Sequence, residues 1–240
     1  MLVKDKILPK EINNLYEDLV KGSYQILNEE EKKIIKDSLI IAYNAHEGQL
    51  RKSGELYIYH PLGVAKIVAH NIGLDSDSIA AALLHDVVED TKLTIKDINK
   101  AVGKNIGKIV DGLTKISILR KNKDYSVQAE NYRRMLLTLH NDIRVILIKI
   151  ADRLHNMRTV EYLDEIKKEK IASESLYIYA PLAHRVGLFN LKNELEDLSL
   201  KTIEPKTYKT LKNKFDKSQD NQEKYIESFK KLIIESLANQ

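Results

Sequence analysis

The chain has 240 residues and a formal net charge of +4, from 39 basic and 35 acidic side chains, with nine Gly, four Pro, no Trp and no Cys. Without Cys there are no disulfides, thiolate metal sites or cysteine nucleophiles, and the mixed charge lacks the strong basic field of a dedicated nucleic-acid binder. So few Gly and Pro favour a helical protein, and the length suits one domain with an appendage.

Residues 1–14 alternate in charge and hold no apolar run long enough for a signal peptide. No run of about 18 apolar residues occurs anywhere, so no membrane span is expected. A reducing, cytoplasmic setting is the expectation. Glu11 to Lys21 reads as an amphipathic helix with Ile12, Leu15, Tyr16, Leu19 and Val20 as its stripe, ended by Gly22. Glu29 to Gly48 reads as a longer one. The polar connection from Gln49 to Glu55 follows, with Arg51 and Lys52 adjacent; by itself it reads as an ordinary solvated turn. His60-Pro61 predicts a helix start, with His60 as the cap, a partly exposed ring, and a helix running to about Asn71. The ring is free to ligate, or is there merely for packing or capping.

The stretch Ile79 to Thr91 organises the rest. Ser76 or Ser78 can cap it, Asp77 suits the first turn, and its apolar residues go nearly all round, so a buried helix is predicted. Four ionisable groups then arrive together: His85, Asp86, Glu89 and Asp90. Helical spacing places Glu89 one turn past His85 and Asp90 one turn past Asp86. Burying them is costly unless a divalent cation compensates, and imidazole with carboxylate suits zinc, manganese or iron better than calcium. Spacing alone leaves a second reading open, a helix end where charges emerge into water.

Thr94 to Val102 and Asn105 to Lys115 are predicted short helices separated by Gly103. Residues 116–126, rich in Lys, read as a loop or at most a short hairpin, and 127–139 as a helix. Asn141-Asp142 caps a long helix from Ile143 to about Tyr162, apolar at first and then abruptly polar through Asp152, His155, Asn156 and Thr159. Asp152, Asn156 and Thr159 share a face, while His155 lies about a turn off it and reads as a residue behind the ligands or a structural one rather than a ligand. Two helices that turn polar at one level would make a pocket with apolar walls and an ionisable floor. Lys167 to Ala180 is helical, Pro181 kinks or restarts the chain, and Leu191 to Leu200 follows. The last forty residues carry a helical stripe of Tyr225, Phe229, Leu232, Ile233 and Leu237.

Four pieces in order, Arg51-Lys52-Ser53-Gly54, His60-Pro61, His85 to Thr91 and Ala151 to Thr159, resemble the hydrolase domain of the RelA/SpoT homologue family, within the HD metal-phosphohydrolase superfamily. Tyr179 to Arg185 and Glu194 to Leu198 fit the same family, and the resemblance covers roughly residues 37–208. It implies an all-α helical bundle, an HD domain over 1–200, and a C-terminal helical extension over 201–240 that starts a linker to a synthetase domain absent here. It also implies a chain that is either a hydrolase-only protein or a fragment. The implied metal ligands are His60, His85, Asp86 and Asp152, with manganese as the metal. Glu89 and Asp90 would be catalytic, and Arg51, Lys52, Ser53, Asn156 and Thr159 would meet the nucleotide. Family members with a dead site lack the His-Asp and Glu-Asp pairs, which this chain keeps, so an active enzyme is implied. The implied reaction is removal of the 3′-pyrophosphate from ppGpp or pppGpp. The substrate is a small molecule, and neither a nucleic acid nor a membrane is an expected partner. Alternatives are an HD nucleotidase or phosphodiesterase for another nucleotide, and a non-enzymatic alarmone-sensing module.

Overall fold

The structure, a computed structural model, describes residues 8–121, 142–216 and 230. Among them every regular element is helical, apart from one isolated antiparallel bridge between Leu50 and Leu56. The helices are α1 (Lys10–Lys21), α2 (Glu29–Ala45), α3 (Tyr59–Lys66), α4 (Ser76–Leu83), α5 (Val87–Asp90), α6 (Ile95–Val102), α7 (Lys104–Lys121), α8 (Ile143–Arg158), α9 (Glu165–Glu174), α10 (Ala180–Arg185) and α11 (Phe189–Ile203). Residues 205–216 form one further helix. No helix among the described residues is long and apolar enough to cross a membrane.

The centre of the bundle is α4. Ile79, Ala80, Ala81, Ala82 and Leu83 are all fully buried, because α4 packs against α2, α3 and α7. The alanines let those helices approach closely, which is why the apolar surface runs all round. Local chemistry sets the helix ends. Asn28 and Glu31 form a reciprocal capping box at the start of α2, and Thr94 and Asp97 form one at α6. At Gly103 the backbone takes φ +100°, a conformation that favours glycine, and α6 stops there before α7 begins.

α8 crosses α7 where Gly112 faces Val145. A Cβ on Gly112 would lie 2.8 Å from Val145 Cγ2, so the two backbones meet at a residue without a side chain. Before Pro181 the chain widens into a π-helical turn at Ser175–Tyr179. Proline has no N–H to give the carbonyl four residues back, and the turn absorbs that loss.

Several expectations are corrected. The cap of α4 is Asp75, which accepts from Ser78 N; Ser76 and Ser78 lie inside the helix. The Ile79–Thr91 stretch is not one helix, since it breaks after Leu83 and restarts at Val87. His60 is not the cap of α3 but lies in its first turn, with a buried ring, because the preceding turn already bonds His60 N to Tyr57 O. No hairpin forms over 116–121, where α7 continues to Lys121. The rest of that expected loop, the 127–139 helix and the stripe from Tyr225 to Leu237 lie outside the described residues.

One residue ties the two site helices at their starts. Asp142 caps α8, accepting from Arg144 N, and pairs with the Arg144 guanidinium at 2.8 Å; the same guanidinium reaches Asp75, the cap of α4, at 3.2 Å. Hydrogen bonds from Arg144 hold the Asp142 carboxyl below its ordinary value. Its contribution is therefore full above the unfolded carboxylate value of about 3.9 and is lost as pH falls through the lower folded value. Asp142→Asn is expected to flatten the acid limb of stability below about pH 4, read as unfolding midpoint against pH.

Candidate metal centre and nucleotide pocket

The break after Leu83 has a local cause and a chemical result. The His85 ring turns back and donates Nδ1–H to the Ala82 carbonyl at 2.8 Å, satisfying a carbonyl that the helix end leaves open. That bond puts a proton on Nδ1 and points Nε2 at the carboxylates, where a cation or a second proton can meet it. Nε2 is fully buried with no hydrogen-bond partner of its own, and it faces Asp86 Oδ2 at 3.0 Å and Asp152 Oδ1 at 3.8 Å.

His60, 3% exposed, comes in from α3. Its Nε2 lies 3.3 Å from Asp152 Oδ1 and 3.6 Å from Asp86 Oδ2. Ligand atoms of His60, His85 and Asp152 all fall within 4.8 Å of one another. Asp86 borders this group and is also bound by the Tyr57 hydroxyl at 2.6 Å. An orphaned buried nitrogen among facing carboxylates is the donor set that a divalent cation satisfies. The four expected ligands are thus brought together from α3, from the α4–α5 turn and from α8.

The charges are strongly coupled. Burial opposes the charged form of Asp152, yet Lys149 and the two imidazoles hold its carboxyl well below the ordinary range. Burial likewise opposes ionisation of Asp86, and His85 overrides it, so that carboxyl is also lowered. For His85, burial is outweighed by Asp86 and Asp152, which raise it to about 8. Burial lowers His60, and burial with the neighbouring His60 and Arg51 pushes His155 down to about 3.

Of the expected catalytic pair, Asp90 is exposed and accepts from Tyr57 Oη at 3.2 Å, while Glu89 is half-buried and its charge acts on Lys149. One phenolic hydroxyl therefore spans Asp86 and Asp90.

The Arg51–Gly54 stretch is a tight turn, closed by Gly54 N to Arg51 O and Arg51 N to Glu55 O, with Gly54 at φ +87°. Only glycine takes that angle without strain. The turn is not merely solvated. Arg51 reaches across to α8, donating to Asn156 Oδ1 at 3.0 Å, and Asn156 Nδ2 donates to Asp152 Oδ1 at 2.7 Å. Arg51, Lys52, Ser53, Asn156 and Thr159 all line one cavity of about 320 Å³. Its walls are not the apolar surface expected; Leu50, Leu163 and Ile171 share them with Arg51, Lys52 and Arg153. Tyr57 and Asn156 line the cavity and also bind Asp86 and Asp152, so it adjoins the cluster.

Sequence reading missed three neighbours. Tyr57 gives no local sign of its carboxylate partners. Lys149 is 5% exposed with Nζ 3.7 Å from Asp152 Oδ2. Its signal was a lone cation in an apolar run, three residues before an aspartate. Arg153, also buried, bonds Glu174 at 3.0 Å and lies over the Tyr179 ring at 4.4 Å.

The HD domain family profile matches residues 38–189, which hold all eleven expected site residues and the His85-Asp86 pair. The chain belongs to the HD domain family. The guanosine-3′,5′-bis(diphosphate) 3′-pyrophosphohydrolase of Haemophilus influenzae is 46% identical over 83% of this chain and 29% of its own length. The bifunctional (p)ppGpp synthase/hydrolase SpoT of Escherichia coli K12 is 42% identical over 89% of this chain and 30% of its own. The GTP pyrophosphokinase of Myxococcus xanthus is 45% identical over 85% and 27%. The HD chain thus spans under a third of the length of these curated relatives. A solved structure from work titled "A metazoan ortholog of SpoT hydrolyzes ppGpp and plays a role in starvation responses" matches with a TM-score of 0.52 at 24% identity. The match covers 69% of this chain and 93% of that one, and this likeness bears on the fold alone.

Proposed function

We propose that this HD domain removes the 3′-pyrophosphate from guanosine tetra- and pentaphosphate, giving GDP or GTP and pyrophosphate. One observation carries the reading: His60, His85 and Asp152 converge to within 4.8 Å beside a cavity lined in part by Arg51 and Lys52. Relatives above 40% identity that are named for this reaction support it.

Each side chain has a task that its position suits. His60, His85, Asp86 and Asp152 would hold the cation, and manganese fits two imidazoles with two carboxylates. When bound, such a cation neutralises phosphate charge and lowers the pKa of water. Arg51 and Lys52 supply positive charge for phosphates, and the Arg51 plane can stack on guanine. Asn156 and Thr159 offer polar groups for the base edge or ribose. Glu89 or Asp90 takes the proton of the attacking water, and Tyr57 keeps Asp90 beside Asp86. Water adds to the phosphorus nearer the ribose, the bond from that phosphorus to the 3′ oxygen breaks, that oxygen takes up a proton to become the 3′-hydroxyl, and pyrophosphate departs. Residues 201–240, outside the family match, fit an extension beyond the catalytic unit.

Purified protein with manganese and the tetraphosphate is expected to release one pyrophosphate per GDP. Faster cleavage of deoxynucleoside monophosphates or cyclic dinucleotides in competition would replace this substrate with another. Glu89→Gln and Asp90→Asn, measured separately, are expected to lower kcat by roughly 10²–10⁴ for whichever group is the base.

A further inference from the structure

The hydrogen bonds of His155 fix where the protons of the centre sit. Arg51 Nη1 lies 3.3 Å from His155 Nδ1, and a guanidinium nitrogen can only donate. His155 Nδ1 is therefore an acceptor, and the proton of that neutral ring is on Nε2. The same Nδ1 lies 3.0 Å from His60 Nδ1. Two bare nitrogens cannot hydrogen-bond, so His60 must carry its proton on Nδ1 and donate it. The other nitrogen of His60, Nε2, is then bare, and it is the one that faces Asp152 and Asp86. Facing lone pairs repel until a cation lies between them.

We infer that His155 is the positioning residue of the centre: it holds His60 as the Nδ1–H tautomer with Nε2 bare toward the two aspartates, and Arg51 keeps His155 accepting. The inference rests on the reading of His60 as a cation ligand. A metal-bound imidazole is generally oriented by a hydrogen bond from its second nitrogen, and here that partner is another imidazole, locked by an arginine of the nucleotide pocket.

Packing sets the same ring. The His60 and His155 ring centroids are 4.9 Å apart. A Cβ on Gly63 would lie 2.1 Å from His155 Nε2, so α3 passes the ring only because residue 63 has no side chain. The polar circuit also closes: Asp152 accepts from Asn156, Asn156 from Arg51, and Arg51 and His60 both donate to His155. Residues of the nucleotide pocket thus brace two expected ligands.

Nitrogen-15 spectra of the metal-free protein, with His60 assigned by substitution, read the tautomer directly. His60 is expected as Nδ1–H; finding it as Nε2–H overturns the inference, and this needs no variant of His155. His155→Phe, which keeps a ring without an acceptor, is expected to abolish the tautomer preference and weaken manganese binding, by calorimetry, about 10–100-fold. His155→Asn, whose Oδ1 stands where Nδ1 stood, is expected to restore it. Gly63→Ala, which displaces the ring, is expected to behave like His155→Phe. Manganese affinity unchanged in both His155→Phe and Gly63→Ala overturns the inference. Wild-type protein that binds no divalent cation would instead remove the metal-centre reading, while the spectrum still decides the tautomer.

Discussion

Asp152→Ala is expected to abolish cation binding and turnover together while the helices stay folded. The carboxylate of Asp152 is the meeting point of the site: His60, His85, Asn156 and Lys149 all approach it. Without it, two imidazole nitrogens and Asp86 remain, and the circuit through Asn156 loses its end. Loss of a supporting group costs roughly 10–100-fold in metal affinity or activity, so loss of a ligand is expected to exceed that range in kcat. A second readout does not depend on catalysis. A cation at a hundredfold excess over its Kd stabilises the native state by about 2.7 kcal/mol, provided it binds only the folded chain. In wild-type protein that gain is expected as a rise in Tm on adding manganese, and in Asp152→Ala the rise is expected to vanish. Asp86→Asn separates charge from geometry, because the amide oxygen can still accept from Tyr57. A Tm rise that survives Asp152→Ala would place the ion elsewhere.

Arg153→Met is expected to cause the largest loss of stability. Arg153 is 2% exposed, its guanidinium bonded to Glu174 and lying over the Tyr179 ring, and so joins α8 to α9 and to the π-helical turn before Pro181. Removing one partner of a buried ion pair costs about 3–5 kcal/mol, because the other charge loses that countercharge in a poorly solvating site. For a domain of this size that amounts to a fall in Tm of roughly 10 °C. The double substitution Arg153→Met with Glu174→Gln is expected to recover part of the loss, since the buried charge is then gone as well. Equal loss in the single and double variants would show that packing of the guanidinium on Tyr179, rather than the pair, accounts for the effect. Urea unfolding of the three proteins decides between these.

The amino-acid sequence by itself determined the helical class, the order of most helices and the places where polar groups interrupt apolar ones. Those are local properties: the stripe of α1, the alanine run of α4 and the polar turn within α8 arise from residues three or four apart, and the spacing of the chain fixes them. Cap chemistry was legible for the same reason at Asp142, and misread at Asp75 because three candidate caps lie side by side. The ordered motifs also pointed to residues that the fold gathers at the His–Asp cluster and its cavity.

Only the tertiary structure decided how those residues meet. The break after Leu83 exists because one imidazole finds one carbonyl, a contact that periodicity does not encode. Arg51 meets His155 across 104 positions and His60 meets it across 95, so neither the tautomer of His60 nor the need for glycine at 63 could be read from neighbours in the chain. Lys149 in its helix and Tyr57 in its turn looked like ordinary side chains until the fold set carboxylates against them. Hydrogen bonds and charge pairs act within about 3–4 Å, and the packing of α3 and α8 around α4, not the order of residues along the chain, determines which groups come that close.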